Sequence, residues 1–176
     1  MDKLLNLFPN YPLDIEKIRK FWDGEGRSLV SMISTDHYYR QAFDDRQILE
    51  SVPINLQRQA LLPGVNIPTF FADWGTITTA KYWGGTSRFD STGGNIFIDP
   101  VAKTIDEAIE IDPLPVDHPD MDAVHALNLF HQLQREMETG ILWLRMPDLQ
   151  GPLNTAALIM DQTAFMLAMY EEPEKV

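Results

Sequence analysis

The chain contains no cysteine in its 176 residues, which excludes disulfides and thiolate zinc sites and leaves any thiol chemistry to come from elsewhere. No apolar run approaches the roughly 18 to 20 residues needed to span a bilayer. The N-terminus, Met1-Asp-Lys-Leu-Leu-Asn-Leu-Phe-Pro9, is too short and too acidic for a signal peptide, so a cytoplasmic address with no membrane partner is the expectation. Basic residues are scarce. With 14 Lys and Arg against 26 Asp and Glu, the net charge of -12 repels nucleic acid and anionic lipid at long range. Lys17, Arg19 and Lys20 lie beside Asp14 and Glu16, the pattern of an ordinary solvated helix face. No serine sits in a G-x-S-x-G elbow, and the four histidines form no metal set: His125 and His131 are six apart, and His118 reads as a turn residue. The chain is therefore expected to bind no zinc by itself.

What is present is a hydrophobic content of 44%, enough for one sizeable core and a single domain over residues 1–176. Three apolar, strand-like runs each stop on an aspartate: Leu29 to Asp36, Pro68 to Asp73 and Ile141 to Asp148. Buried parallel strands read as continuous apolar runs, and in α/β folds the chemistry gathers just beyond their carboxyl ends. Each Asp is also a plausible cap for the next helix, but the threefold repeat favours a shared acidic pocket.

Helices alternate with these runs. Asp14 to Trp22 has Ile15, Ile18 and Trp22 at helical spacing, and Gly24 and Gly26 stop it. A first strand is expected over Ser28 to Ser34, then a mostly helical Asp44 to Leu62 that Pro53 breaks or kinks and Pro63-Gly64 closes. The second strand covers Ile67 to Ala72, followed by a short turn or helix over Gly75 to Trp83. Gly84 to Asn95 reads as a polar loop with a hairpin turn at Gly93-Gly94, leading into a strand at Ile96 to Ile98 that Asp99-Pro100 ends. Thr104 and Glu107 fit a capping box. Asp112 to Pro119 is linker-like, with Pro119 placed in the first turn of the next helix. The stripe Met121, Val124, Leu127, Phe130, Leu133 and Met137 marks that helix's core face, and Gly140 ends it before the third strand. Helix returns after Gly151, through Ala156 to Met160 and again from Thr163.

With nucleophilic triads disfavoured, the paired carboxylates carry the chemistry. Asp36, Asp73 and Asp148 around one mouth would raise one another's pKa, or would jointly bind a cation or a substrate's N–H groups. His37, next to Asp36 and followed by Tyr38, Tyr39 and Arg40, is either a surface residue or a proton donor. Trp74, Tyr82 and Trp83 are core or pocket wall.

The run Met146 to Met160, followed by Phe165-Met-Leu-Ala-Met-Tyr-Glu-Glu-Pro-Glu-Lys-Val176, resembles the uroporphyrinogen decarboxylase superfamily, as does Phe71-Ala-Asp73-Trp, from about Asp14 onward. The resemblance implies an α/β fold, the N-terminal half of a (β/α)8 TIM-type barrel. It implies an enzyme of the methyltransferase type, or an uncharacterised branch, acting on a tetrapyrrole- or corrinoid-linked or small planar substrate. Asp73 is then the acceptor or general base, Asp36 and His37 share its mouth, Asp148 and Gln150 close it, and Trp74 and Tyr82 form a flat wall. Arg40-Gln41 is all that resembles the R-Q-A-G-R motif with which the true decarboxylases neutralise a polycarboxylate, so Arg40 is the one substrate-binding arginine and decarboxylation of uroporphyrinogen is the lesser alternative. No cofactor is implied in this chain; a zinc site and a corrinoid protein belong to the other half or to a partner. A further alternative is a non-catalytic half-barrel that binds a corrinoid protein or a second chain. The partners implied are a small-molecule substrate, the corrinoid protein, and either a second copy or the remainder of a longer chain.

Overall fold

A computed structural model describes residues 3–26, 29–30, 45–71, 77–89, 96–145 and 149–176. Among the described residues the architecture is mixed helix with two small sheets, compatible with the α/β class. The elements in chain order are α1 (Lys3–Leu7), α2 (Tyr11–Trp22), α3 (Asp45–Ala60), β1 (Thr69–Phe70), α4 (Thr78–Lys81), β2 (Thr86–Phe89), β3 (Ile96–Asp99), α5 (Ile105–Ile109), α6 (Asp122–Glu136), β4 (Trp143–Leu144), α7 (Pro152–Ile159) and α8 (Gln162–Glu171). They form two compact units between which the chain passes several times, once within α6, between His125 and Ala126.

The first unit holds α1 to α3, β1, the later part of α6 and β4. Helix α2 begins three residues before the predicted Asp14, because Pro12 near its start has a φ already suited to a helix and needs no N–H partner there. It ends where Gly24 takes φ +78° while the Gly24 N–H donates to Phe21 O and the Glu25 N–H to Lys20 O, the paired closure that a left-handed residue permits. Of the helically spaced Ile15, Ile18 and Trp22, the two isoleucines are half-buried and Trp22 is 78% exposed, while the fully buried residue of α2 is Asp14. Helix α3 runs through Pro53, where a break or kink was predicted, and buries Ile48, Val52, Leu56 and Gln59 on one face. Burial of each such aliphatic side chain contributes about 1.5–3 kcal/mol.

Gln59 ties α3 to the start of β1. Its Nε2 donates to Ile67 O (2.8 Å) and Thr69 Oγ1 (2.9 Å), and its Oε1 accepts from Thr69 N (3.1 Å). Strands β1 and β4 pair in parallel, with Thr69 opposite Trp143 and Phe70 opposite Leu144. The ladder extends through Trp143 N to Pro68 O and Arg145 N to Phe70 O. These two strands are the cores of the predicted runs Ile67 to Ala72 and Ile141 to Asp148. The predicted first strand, Ser28 to Ser34, lies largely outside the described residues; Val30 O accepts a hydrogen bond from Val65 N.

The predicted stripe holds at Met121 and Leu133, which are buried, and in part at Val124, Phe130 and Met137, which are half-buried, and it fails at Leu127, which is 44% exposed. In the later part of α6 the buried face also takes in Ala126 and Leu129, which the stripe left out. The helix ends at Glu136, ahead of Gly140, because Glu138 itself takes the left-handed conformation (φ +49°), with Glu138 N donating to Arg135 O and Thr139 N to Gln134 O.

The second unit holds α4, β2, β3, α5, the first turn of α6, α7 and α8. Strands β2 and β3 form an antiparallel hairpin from Thr86 opposite Asp99 to Phe89 opposite Ile96. Thr86–Phe89 was predicted as loop; its run of Thr, Ser and Arg hides a strand that pairing with Ile96–Asp99 stabilises. The predicted turn at Gly93-Gly94 lies outside the described residues. The capping box at α5 forms in part as predicted: Thr104 Oγ1 accepts from Glu107 N (3.2 Å), and Glu107 Oε2 accepts from the N–H of Lys103, one residue before the cap. Pro119 precedes α6 by three residues and does not enter its first turn; Met121 N bonds to His118 O there instead.

The core of this unit gathers Ile77, Ala80, Ile98, Ala102, Ile105, Ile159, Met160, Phe165 and Ala168. Val101 N and Ala102 N both donate to Ile159 O, and Asp161 N to Ala102 O, which pins the junction of α7 and α8 to the segment after β3. Asp161 then caps α8 through Ala164 N (3.0 Å). No helix among the described residues is long and apolar enough to cross a membrane.

Candidate ligand-binding site

Of the residues that the sequence nominates, Asp36, His37, Arg40, Asp73, Trp74 and Asp148 lie outside the described residues; Tyr82 and Gln150 lie within them. Both belong to the second unit.

Gln150 lines a pocket of about 350 Å³ formed by α4 and α7. Helix α7 starts where it does because Gly151 is extended (φ -68°, ψ 165°) and Pro152 follows at the first helical position. The first turn is closed twice on Gly151 O, by Thr155 N (3.0 Å) and by the Thr155 hydroxyl (3.1 Å). From that start, Pro152, Thr155, Ala156 and Ile159 share one face at helical spacing and line the pocket.

The opposite wall is α4 and its exit. Thr79 and Trp83 are four residues apart and therefore project to the same side. Thr79 Oγ1 accepts the Gln150 N–H at 3.0 Å, which joins the two walls. Gly84 ends α4 at φ +83°, with Gly84 N donating to Lys81 O and Gly85 N to Ala80 O. A Cβ on Gly85 would lie 3.0 Å from Ala80 O and 3.0 Å from Ile98 Cγ2, a tight fit that a larger residue would meet only if those neighbours shifted by a few tenths of an ångström.

The other side of α4 has opposite chemistry. Lys81 Nζ is 2.8 Å from Asp122 Oδ1, and Thr78 Oγ1 is 3.3 Å from Asp122 Oδ2. Lys81 of this largely buried pair also lines a second cleft of about 410 Å³, together with Thr86, Ser87 and Asp120. One short helix thus separates an ion pair from an uncharged pocket.

Tyr82 is not among the residues lining the α4–α7 pocket. Its hydroxyl donates to Val116 O at 3.5 Å and its carbonyl accepts from Leu114 N at 2.6 Å, so it holds the linker-like segment before α6. The flat wall of the pocket is the neighbouring Trp83. Thr79, Thr155, Ala156 and Ile159 were not singled out from the sequence as lining residues, and the start signal at Gly151-Pro152 was the one clue to which face of α7 would be presented. Gln150 Oε1 accepts from Asn154 Nδ2 at 2.9 Å, and the Gln150 Nε2 donors have no partner among the described residues. Among the described residues no group of three or more His, Asp or Glu side chains is placed to hold a metal ion. His118 and His131 make local contacts, with Asp120 N and Gln134 Oε1 respectively.

No protein-family model, no curated protein and no solved structure matches the chain.

Proposed function

We propose that the chain is the N-terminal half of a uroporphyrinogen decarboxylase-like (β/α)8 barrel, of the methyltransferase type or an uncharacterised branch, acting on a tetrapyrrole- or corrinoid-linked or small planar substrate. The observation that carries this reading is the parallel pairing of β1 with β4. Two runs separated by more than seventy residues lie side by side and point the same way. Asp73 and Asp148 follow the paired Phe70 and Leu144 by three and four residues in the sequence. In α/β enzymes the residues that follow such parallel strands in the sequence supply the chemistry, and that analogy is what nominates these two aspartates.

In this proposal Asp73 acts as acceptor or general base toward a substrate N–H or O–H. Zinc and a corrinoid protein are supplied by the other half or by a partner. The single arginine at Arg40, in place of an arginine pair, disfavours a polycarboxylate and so favours methyl transfer over uroporphyrinogen decarboxylation.

The test is methyl transfer from a methyl donor to cob(I)alamin by the native gene product, read from the visible spectrum of the corrinoid, together with that product's intact mass. A mass near twice that of this chain and an Asp73→Asn variant slowed about 10²–10⁴-fold are expected. Unchanged turnover in that variant removes Asp73 from the chemistry.

A non-catalytic half-barrel bound to another chain is the second reading. It is favoured by α8, which buries Phe165 and Ala168 yet exposes Met166, Leu167 and Tyr170 on its other side. On light scattering, a non-aggregating 20 kDa monomer with cooperative unfolding would mean that the strands close on themselves and would overturn both half-barrel readings; methyl transfer separates the two from each other.

A further inference from the structure

We infer that the pocket between Trp83 and the first two turns of α7 binds an uncharged, flat, mainly apolar group that presents one hydrogen-bond acceptor to Gln150. This inference stands on the pocket alone and does not depend on the barrel proposal.

None of the lining side chains is charged. The nearest cation on the same helix, Lys81, is committed to Asp122 at 2.8 Å. A carboxylate or ammonium entering the pocket would lose hydration without finding a counter-charge, which is far costlier than the transfer of a neutral group. The Trp83 indole supplies a flat surface for stacking. Facing it, Ala156 leaves the space that a larger side chain would fill, and Ile159 provides an apolar floor.

The polar groups set the remaining requirement. Thr155 donates its hydroxyl to Gly151 O, and Thr79 Oγ1 already accepts the Gln150 N–H. Among the described residues the Gln150 carboxamide N–H groups, the Thr79 hydroxyl hydrogen and the Trp83 indole N–H have no acceptor, so the lining offers donors to a ligand, with Gln150 supplying two of them. A ring carbonyl or ring nitrogen matches them. The volume, about 350 Å³, lies at the small end of the ~300–1,000 Å³ range of ligand pockets, which suits a bicyclic group and not an entire macrocycle.

The experiment titrates the full chain with N-methyl-2-quinolone, a neutral planar carbonyl compound, and with 2-naphthoate, an anion of similar size, by calorimetry. Saturable binding of the quinolone is expected, with 2-naphthoate at least about tenfold weaker. Ala156→Leu should weaken the quinolone by about tenfold or more, because the added side chain occupies the space. Gln150→Leu should weaken the quinolone while leaving binding of naphthalene, which has no acceptor, unchanged. Should a variant fail to fold, intermolecular NOEs between the quinolone and the Trp83 indole in the unsubstituted chain carry the test. Equal binding of the anion, indifference to Ala156→Leu, or NOEs that bypass Trp83 would each overturn the inference. Quinolone binding by a chain that shows no methyl transfer supports it and counts against the barrel proposal alone.

Discussion

The backbone N–H of Asn66 donates to Asp14 Oδ2 at 3.0 Å, joining positions 52 residues apart. Asp14 is 2% exposed, and its other oxygen accepts from Lys17 Nζ at 2.9 Å. The contact lies just before β1, on the amino-terminal side of the parallel pair, where fixed polar groups serve stability. Asp14→Ala should therefore cost about 1–3 kcal/mol through the stranded Asn66 N–H, while Asp14→Asn, which keeps an acceptor, should cost less. Urea unfolding checks this, and an unshifted midpoint for Asp14→Ala would show that the bond contributes nothing.

Gly64 and Gly140 should respond in opposite ways to alanine. Gly64 has φ +98°, and a Cβ there would lie 2.7 Å from Val30 O, so Gly64→Ala meets both backbone strain and a clash and should lose about 1–3 kcal/mol. At Gly140 a Cβ meets nothing within 4 Å and φ is not left-handed. Gly140→Ala should be neutral or stabilising by about 0.4–1 kcal/mol, because the unfolded chain loses freedom. Thermal melts of the two variants would expose an error if they moved together.

Among the described residues of the second unit, Lys81 and Asp122 form the most enclosed ion pair, with side-chain exposures of 22% and 10%. Lys81→Met leaves a largely buried carboxylate without its cation, with the Thr78 hydroxyl beside it. Breaking a fully buried pair costs about 3–5 kcal/mol; partial exposure of Lys81 reduces the expected loss to about 1–3 kcal/mol. Adding Asp122→Asn should recover most of it. A double variant as unstable as the sum of the single ones would deny the coupling.

Lys175 reaches back to the first turn of α5, with its Nζ 2.7 Å from Asp106 Oδ1 and also paired with Glu172. Hydrogen bonding to Asp106, then to Glu172, raises its pKa above the ordinary lysine value. A raised value in the folded chain means that the interaction is fully present below the ordinary lysine pKa and is lost only as the pH rises through the raised one. Lys175→Met should therefore reduce hydrogen-exchange protection at the C-terminus equally at pH 7 and at about pH 10. A difference that fades between those two values would contradict the raised pKa.

The signals that were legible in the sequence are local ones. Thr104 followed by Glu107 marked the start of α5, Gly24 marked the end of α2, and Gly151-Pro152 marked the start of α7, because caps and left-handed positions depend on a few neighbouring atoms. The apolar runs around Phe70 and Leu144 were legible for a similar reason: continuous burial leaves a continuous apolar string. Of the nominated site residues, Gln150 lines the described pocket and Tyr82 holds the Leu114–Val116 segment instead.

The sequence by itself determined the composition limits, the strongly acidic charge, the absence of thiol chemistry and the approximate positions of most helices. Tertiary structure decided which side of each element is used. Leu127 and Ala126 are neighbours on one helix, and only packing selected Ala126 for burial; Asp14 sits among charged residues that suggest solvent, yet a backbone N–H from Asn66 makes its burial tolerable. Thr86–Phe89 became a strand because Ile96–Asp99 pairs with it, and the uncharged pocket exists because a hydrogen bond from Gln150 to Thr79 joins α7 to α4 across seventy-one residues. Propensity and capping act over a few residues, whereas face selection, strand pairing and pocket formation depend on partners distant in the chain, whose identity the local sequence does not encode.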